Sequence, residues 1–309
     1  MAEKVLIDCD PGIDDALALA LAHGSPALDV VGITTVGGNV ELGHTTRNAL
    51  CLVDYYGMDV PVARGAGRPL VREPRTAADV HGETGLGGVV LPEPTTSRLS
   101  DRHAVDFLVD RLAAEPGEIS LVAIGPLTNI ALALRKEPRI VEWARRLVIM
   151  GGAYGRGNST PAAEFNIHAD PEAAAVVFGA PWRPVMIGLD LTHQARADAA
   201  VRAGFAGLGR LESELLTPCL DFYGEHAGRH HAGPAVHDAC AVAHLIDPGL
   251  IETVPARVDV ETHGRFTSGM TVTDFDAPVP NADVATVLDR DAFWSVVTEA
   301  FRNVARGMP

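Results

Sequence analysis

The chain has 309 residues, with 25 Lys plus Arg against 40 Asp plus Glu and a formal net charge of −15. That balance excludes a nucleic-acid backbone or an anionic membrane surface as the default partner, because both call for a basic face. Hydrophobic residues make up 47%, which excludes bulk disorder, and the length suffices for one large α/β domain or two smaller ones.

Val5-Leu6-Ile7 reads as a first strand. It follows a Met-Ala-Glu-Lys start that has none of the regions of a secretory signal. Residues 13–22 are apolar around most of a helix, so that helix is expected to be buried. Residues 29–36 read as a second strand, 44–56 as a helix and 60–63 as a short third strand. The segment 65–100 is rich in Gly, Pro and Thr and long for a connection, which suits either a lid or a surface excursion. Strands are expected at 119–124, 147–150 and 184–189, with helices around 101–114, 127–135 and 171–178. The last of these has Asp170 at the cap and Pro171 at the first helical position. Residues 191–247 look mostly helical, 254–262 and 270–275 read as strands that can pair, and 290–306 form a closing amphipathic helix. Strand and helix alternate, so the expected fold is a Rossmann-like open, mostly parallel or mixed sheet flanked by helices. No repeat or low-complexity linker divides the chain, and 1–309 reads as one domain. The four cysteines, at 9, 51, 219 and 240, show no C-x-x-C spacing and suit a reducing cytoplasm. No apolar run is long enough to span a bilayer, so a cytoplasmic protein is expected.

The most informative stretch is Asp8-Cys9-Asp10-Pro11-Gly12-Ile13-Asp14-Asp15, between a buried strand and a buried helix. In an open parallel sheet, ligands bind beyond the carboxyl ends of the strands. One or two acids there would serve as helix caps. Four within eight residues repel one another unless a cation sits between them, and oxygen ligands without Cys or His point to Ca²⁺ or Mg²⁺. Taken alone, the motif also allows a Mg²⁺ phosphatase of haloacid-dehalogenase type with Asp8 as nucleophile. That scheme expects Thr or Val where Gly12 stands and leaves Asp14-Asp15 without a role.

The stretch Asp8-x-Asp10-Pro-Gly-x-Asp14-Asp15-Ala closely resembles the N-terminal signature of the nucleoside hydrolases, and further blocks follow in the family's order. These are Gly37-Gly38-Asn39, His81-Gly-x-x-Gly-Leu-Gly87, Ile124-Gly-Pro-Leu-Thr-Asn129 and Met150-Gly-Gly152. Asn158, Ala163-Glu164-Phe165-Asn166, Asp170-Pro171-Glu172-Ala173, Gly188-Leu-Asp-Leu-Thr192 and His237-Asp238-Ala239 complete the set. The resemblance covers essentially the whole chain.

It implies Ca²⁺-dependent hydrolysis of the N-glycosidic bond of a ribonucleoside, giving ribose and a free base. The Ca²⁺ ligands it implies are Asp10, Asp15, the carbonyl of Ile124, and Asp238. Asp14, Asn39 and Asn166 would meet the ribose hydroxyls. Asn158 and Glu164 would hold the 5′-hydroxyl, with Met150 and Phe165 beside them. Asp10 would activate the water, and inversion is expected because the acids are committed to metal and sugar. His237 would assist the leaving base, and His81 would close over it or face solvent. The resemblance further implies nucleoside salvage and a homodimer or homotetramer. A member that binds nucleoside or ribose without turning it over stays open as an alternative.

Other features stand outside this set. His226, His230 and His231 lie upstream of His237, and His226 and His230 have helical spacing; a base-contacting or solvent-facing helix end is the preferred reading over zinc. Tyr residues in this region line the base in members that prefer inosine or pyrimidines, whereas here Phe222 and Tyr223 lie one or two turns early. Trp143, Trp182 and Trp294 fall outside the blocks that would line a base, which disfavours Trp stacking. Thr84 stands where the family's loop often has an acid. Glu164 at the 5′ end would repel a phosphate, so nucleosides rather than nucleotides are expected. Cys9 and Cys240 have acidic neighbours, which raise a thiol pKa, and read as packing residues.

Overall fold

The computed structural model describes residues 2–94, 98–226 and 233–308. In chain order the first half comprises β1 (Glu3–Cys9), α1 (Ile13–Gly24), β2 (Leu28–Thr35), α2 (Leu42–Tyr56), β3 (Val62–Arg64), α3 (Ala78–His81), α4 (Ala104–Ala114), β4 (Ile119–Ala123), α5 (Thr128–Lys136), α6 (Ile140–Trp143) and β5 (Ala144–Met150). The second half comprises α7 (Phe165–Ala169), α8 (Pro171–Phe178), β6 (Val185–Ile187), α9 (Leu189–Thr192), α10 (Ala199–Ala203), α11 (Thr217–His226), α12 (Asp238–Ile246), β7 (Ile251–Val260), β8 (Thr271–Asp274), β9 (Ala282–Leu288) and α13 (Arg290–Gly307). A π-helical turn, Leu211–Leu216, leads into α11.

The strands form one nine-stranded mixed sheet in the order β3-β2-β1-β4-β5-β6-β9-β7-β8. From β3 through β9 neighbours run parallel, and β7 is antiparallel to both β9 and β8. Parallel neighbours need crossover helices, which cover both faces and make the central strands apolar on both sides. β4 is buried along its whole length, and α1 is buried at every position except His23. One apolar core lies between the sheet and α1, α2, α12 and α13, and a second lies under α4, α5 and α8.

The expected strand at 184–189 ends at Ile187, because Gly188 packs against the backbone of Gly152 and the chain turns into α9. The expected helix at 101–114 begins only at Ala104, capped by His103, and the expected helical region 191–247 is broken at 193–198, 204–209 and 233–237. The expected strands at 254–262 and 270–275 are β7 and β8, and they pair. β9 was not anticipated. Its residues Ala282-Asp-Val-Ala-Thr-Val-Leu288 follow a Pro- and Asp-rich stretch, yet it sits inside the sheet between β6 and β7.

The 65–100 segment is tied down over its first part. The Ala66 amide donates to Asn129 Oδ1 (2.9 Å), the Leu70 amide donates to Asp170 Oδ2 (2.9 Å), and Arg72 forks onto Glu172. Asp170 also caps α8 through the Ala173 amide (3.0 Å), a contact worth about 1 kcal/mol. Among the described residues no helix is long and apolar enough to cross a membrane.

Candidate active site

At the carboxyl ends of the parallel strands lies a cavity of about 640 Å³. The turn after β1, the loops after β2, β4 and β5, and the N-terminus of α12 supply its floor. Of the residues anticipated for the site, Asp14, Asn39, His81, Ile124, Met150, Asn158, Glu164, Phe165, Asn166, His237 and Asp238 line this cavity. Asp10 and Asp15 do not line it and are fully buried beneath the floor.

One carboxylate oxygen from each of Asp14, Asp15 and Asp238 lies within 4.8 Å of the other two. Asp15 is held by the backbone at the start of α1. It accepts from the amides of Asp10 (3.1 Å) and Gly12 (2.9 Å), and so caps the helix as well. Asp10 is outside that triple. Its Oδ2 accepts from the Asn39 amide (2.6 Å), and its Oδ1 is buried with no hydrogen-bond partner among the described residues. Two glycines make room for it. A Cβ on Gly38 would overlap Asp10 Oδ2, and one on Gly125 would sit 2.6 Å from Oδ1. Asn39 clamps the acids, because its side-chain amide donates to the Asp10 carbonyl (3.2 Å) and to Asp15 Oδ2 (3.0 Å). Its Oδ1 is left to accept from a ligand.

Burial dominates the electrostatics. It raises the carboxyls of Asp10 and Asp238 well above the usual carboxylate range, with the neighbouring acids adding to the shift. Asp14 is pushed to about 8 by burial and by Asp15. Asp15 rises only to about 6, because the Gly12 and Asp10 amides offset its burial. Among the described residues no Lys, Arg or His forms an ion pair with any of the four. Four such groups cannot ionise together without a compensating cation. The orphaned Asp10 Oδ1 and the all-oxygen donor set fit a hard divalent ion.

The rest of the wall is equally directed. Asn166 donates its side-chain amide to the carbonyls of Ile124 (3.0 Å) and Met150 (3.2 Å), which leaves its Oδ1 as an acceptor. Asn158 Oδ1 accepts from the Phe165 amide (2.9 Å), which leaves its amino group as a donor. Glu164 caps α7 with both oxygens, taking the amides of Asn166 (2.9 Å), Gly152 (3.0 Å) and Ile167 (3.1 Å). Burial still raises its carboxyl.

The opposite wall carries imidazoles. His81 Nδ1 accepts from the Ile13 amide (3.1 Å), and burial depresses its pKa to about 3. It is therefore neutral with its proton on Nε2. Tyr223 packs against His81 with ring centroids 5.5 Å apart and lines the cavity, although its position in the chain is early for a base contact. His226 also lines the cavity, stacked on Phe222 with its Nδ1–H donating to the Phe222 carbonyl (2.8 Å). His230 and His231 lie outside the described residues. His193 reaches the cavity and meets the His237 ring edge-on at 5.7 Å; it directly follows Thr192 in a matched block but carried no signal of its own. The pKa of His237 is lowered to about 3, chiefly by burial and then by His193.

Asp8 does not line the cavity. Its Oδ1 accepts from the Thr34 hydroxyl (2.6 Å) and from Asn129 (2.8 Å), and it is 1% exposed. Asp8 thus ties β1 to β2 and α5, and the phosphatase alternative finds no support in these contacts. Cys9 and Cys240 are buried thiols whose pKa burial raises.

The sequence profile described as inosine-uridine preferring nucleoside hydrolase matches residues 5–295. The chain belongs to this family of nucleoside hydrolases. It is 46% identical to the inosine-uridine preferring nucleoside hydrolase of Leishmania major, over 98% of this chain and 99% of the relative. It is 47% identical to the non-specific ribonucleoside hydrolase RihC of Escherichia coli, over 97% of this chain and 98% of the relative. Among solved structures, the purine-preferring ribonucleoside hydrolase from Gardnerella vaginalis superposes with a TM-score of 0.92 at 33% identity, covering 98% of this chain and 99% of that one. The nucleoside hydrolase fold is thus shared throughout, and the protein is an N-ribosyl hydrolase that acts on purine or pyrimidine ribonucleosides.

Proposed function

We propose that this nucleoside hydrolase holds Ca²⁺ through Asp10, Asp15, Asp238 and the Ile124 carbonyl, and hydrolyses both purine and pyrimidine ribonucleosides by direct attack of water with inversion. The buried, unpartnered Asp10 Oδ1 beside the acidic triple carries this reading. Such an ion, when bound, makes coordinated solvent more acidic and offers an oxygen-seeking anchor for a sugar diol.

The chain's own residues do the remainder. Asp10 takes the proton of the attacking water. Breaking the C1′–N bond places positive charge on the sugar ring, and the acids of the floor favour that charge over the neutral ground state. Asp14, Asn39 Oδ1 and Asn166 Oδ1 accept from ribose hydroxyls, while the Asn158 amino group and Glu164 position the 5′-hydroxyl beside Met150 and Phe165. Glu164 also disfavours a 5′-phosphate. His237 assists the leaving base, with His81 next to it.

Broad base acceptance is supported by a base-side wall of His81, His193, Tyr223, His226 and His237, which mixes donors and acceptors and contains no Trp. The chain works as one catalytic domain, 1–309, assembled as a homodimer or homotetramer in cytoplasmic nucleoside salvage. The test is ribose release from inosine, adenosine, guanosine, uridine and cytidine, paired with metal analysis of the purified protein. Stoichiometric calcium and turnover of at least one purine and one pyrimidine nucleoside are expected. Undiminished turnover after complete removal of divalent ions would refute the metal assignment.

A further inference from the structure

His237 and Thr192 are 45 positions apart, yet Thr192 Oγ1 lies 2.7 Å from His237 Nδ1. The chain brings them together with backbone bonds. The Ala197 amide donates to the Pro234 carbonyl and the Val236 amide to the Ala195 carbonyl, both at 2.9 Å. The short helix α9 that carries Thr192 is fastened to β9 by Gln194, whose amide donates to the Thr286 carbonyl (2.9 Å) and accepts from the Leu288 amide (3.0 Å).

Thr192 is fully buried, and His237 Nδ1 is the sole hydrogen-bond partner of its hydroxyl among the described residues. The hydroxyl hydrogen therefore has one acceptor available, the Nδ1 lone pair. The reverse arrangement, with Nδ1–H donating to Oγ1, would leave that buried hydroxyl hydrogen unpaired, which native interiors avoid. With Nδ1 accepting, the neutral ring carries its proton on Nε2. Nε2 has no protein partner among the described residues, and His237 lines the cavity.

We infer that Thr192 is a positioning residue: it locks His237 as a neutral Nε2–H donor aimed at the leaving base. This rests on the reading of His237 given above and makes it more specific. The ring hydrogen-bonds the base atom that gains electron density as the C1′–N bond breaks. It keeps its proton, and the released base takes one from solvent.

The experiment compares Thr192→Val, which keeps the shape, with Thr192→Ser, which keeps the hydroxyl, on inosine, uridine and p-nitrophenyl riboside. Thr192→Val is expected to lower kcat on the natural nucleosides by about tenfold to a hundredfold with KM within about twofold, and Thr192→Ser to recover to within about threefold. p-Nitrophenyl riboside, whose leaving group needs no donor, should stay within about threefold in both, which also reports an intact fold. Long-range ¹H–¹⁵N correlations should place the His237 proton on Nε2 in the parent protein and on a mixture of nitrogens in Thr192→Val. Equal losses on all three substrates, or a parent proton on Nδ1, would overturn the assignment of Thr192. A His237→Ala control separates the two levels. Selective loss in that variant beside unselective loss in Thr192→Val removes Thr192 alone, whereas unselective loss in His237→Ala removes the reading of His237 and this inference with it.

Discussion

Gly38→Ala is a single-methyl test of how tightly Asp10 is held. A Cβ at Gly38 would overlap Asp10 Oδ2 and come within 2.8 Å of Pro126 Cδ, and neither neighbour is the free end of a flexible chain. Relief means moving the carboxylate by about 1 Å, a displacement that can cost on the order of a hundredfold in rate. It also strains the 2.6 Å bond from the Asn39 amide, and hydrogen bonds to charged groups contribute about 1.5–3 kcal/mol. Both routes give a fall in kcat/KM near a hundredfold, equivalent to about 2.7 kcal/mol in the barrier. Gly43, five residues on, is the control. A Cβ there meets nothing within 4 Å, and the position lies in the first turn of α2, so Gly43→Ala should leave activity unchanged and raise stability by at most about 0.5 kcal/mol. The assay is steady-state turnover of inosine with bound calcium measured on the same preparations. Parent-like kcat/KM and calcium content in Gly38→Ala would refute the claim that Asp10 is positioned by close backbone approach.

Three further outcomes follow from the same site. Asp10→Ala should reduce ribose release more than about a thousandfold and abolish calcium retention on gel filtration, and parent-like turnover would end the assignment of Asp10. His237→Ala should slow inosine and uridine by about a hundredfold while p-nitrophenyl riboside changes by about threefold or less. Stripped of divalent ions, the protein should lose stability as pH rises from about 6.5 to 8, because Asp14 (about 8) keeps a proton in the fold that the unfolded chain, near 3.8, has already released, while His81 and His237, held near 3, oppose this only below the ordinary histidine value of 6.5. The folded state then binds more protons than the unfolded one, so the slope of stability against pH is negative. Thermal melts across that range should show it, and saturating calcium should flatten it; a metal-free protein that gains stability toward pH 8 contradicts the charge arrangement.

Local signals served where local physics decides. The cap Asp170 and the first-turn Pro171 place α8 at Pro171–Phe178, the span expected from the residues alone. The β1–α1 acidic turn likewise appears where the clustering of charges required it. What was illegible is tertiary. A run of seven residues after a Pro- and Asp-rich stretch carries no mark of its place inside the sheet, although Val284 and Ala285 of β9 are fully buried. Glu164 looked like a ligand contact alone, and its capping of α7 depends on a loop that folds back onto Gly152. Asn39 reads only as a sugar contact in sequence, whereas in space its amino group also clamps Asp10 and Asp15, leaving Oδ1 for a ligand. The placing of Tyr223 and His193 against His81 and His237 depends on how α11 and α9 are oriented, which spacing does not encode.

β9 has a consequence for biosynthesis. It is made after every described residue that lines the cavity, yet it separates β6 from β7 and holds Gln194, two residues beyond Thr192. A nascent chain on the ribosome therefore carries all the acids long before it has a finished pocket. The sheet beneath that pocket can close only once β9 has taken its place between β6 and β7.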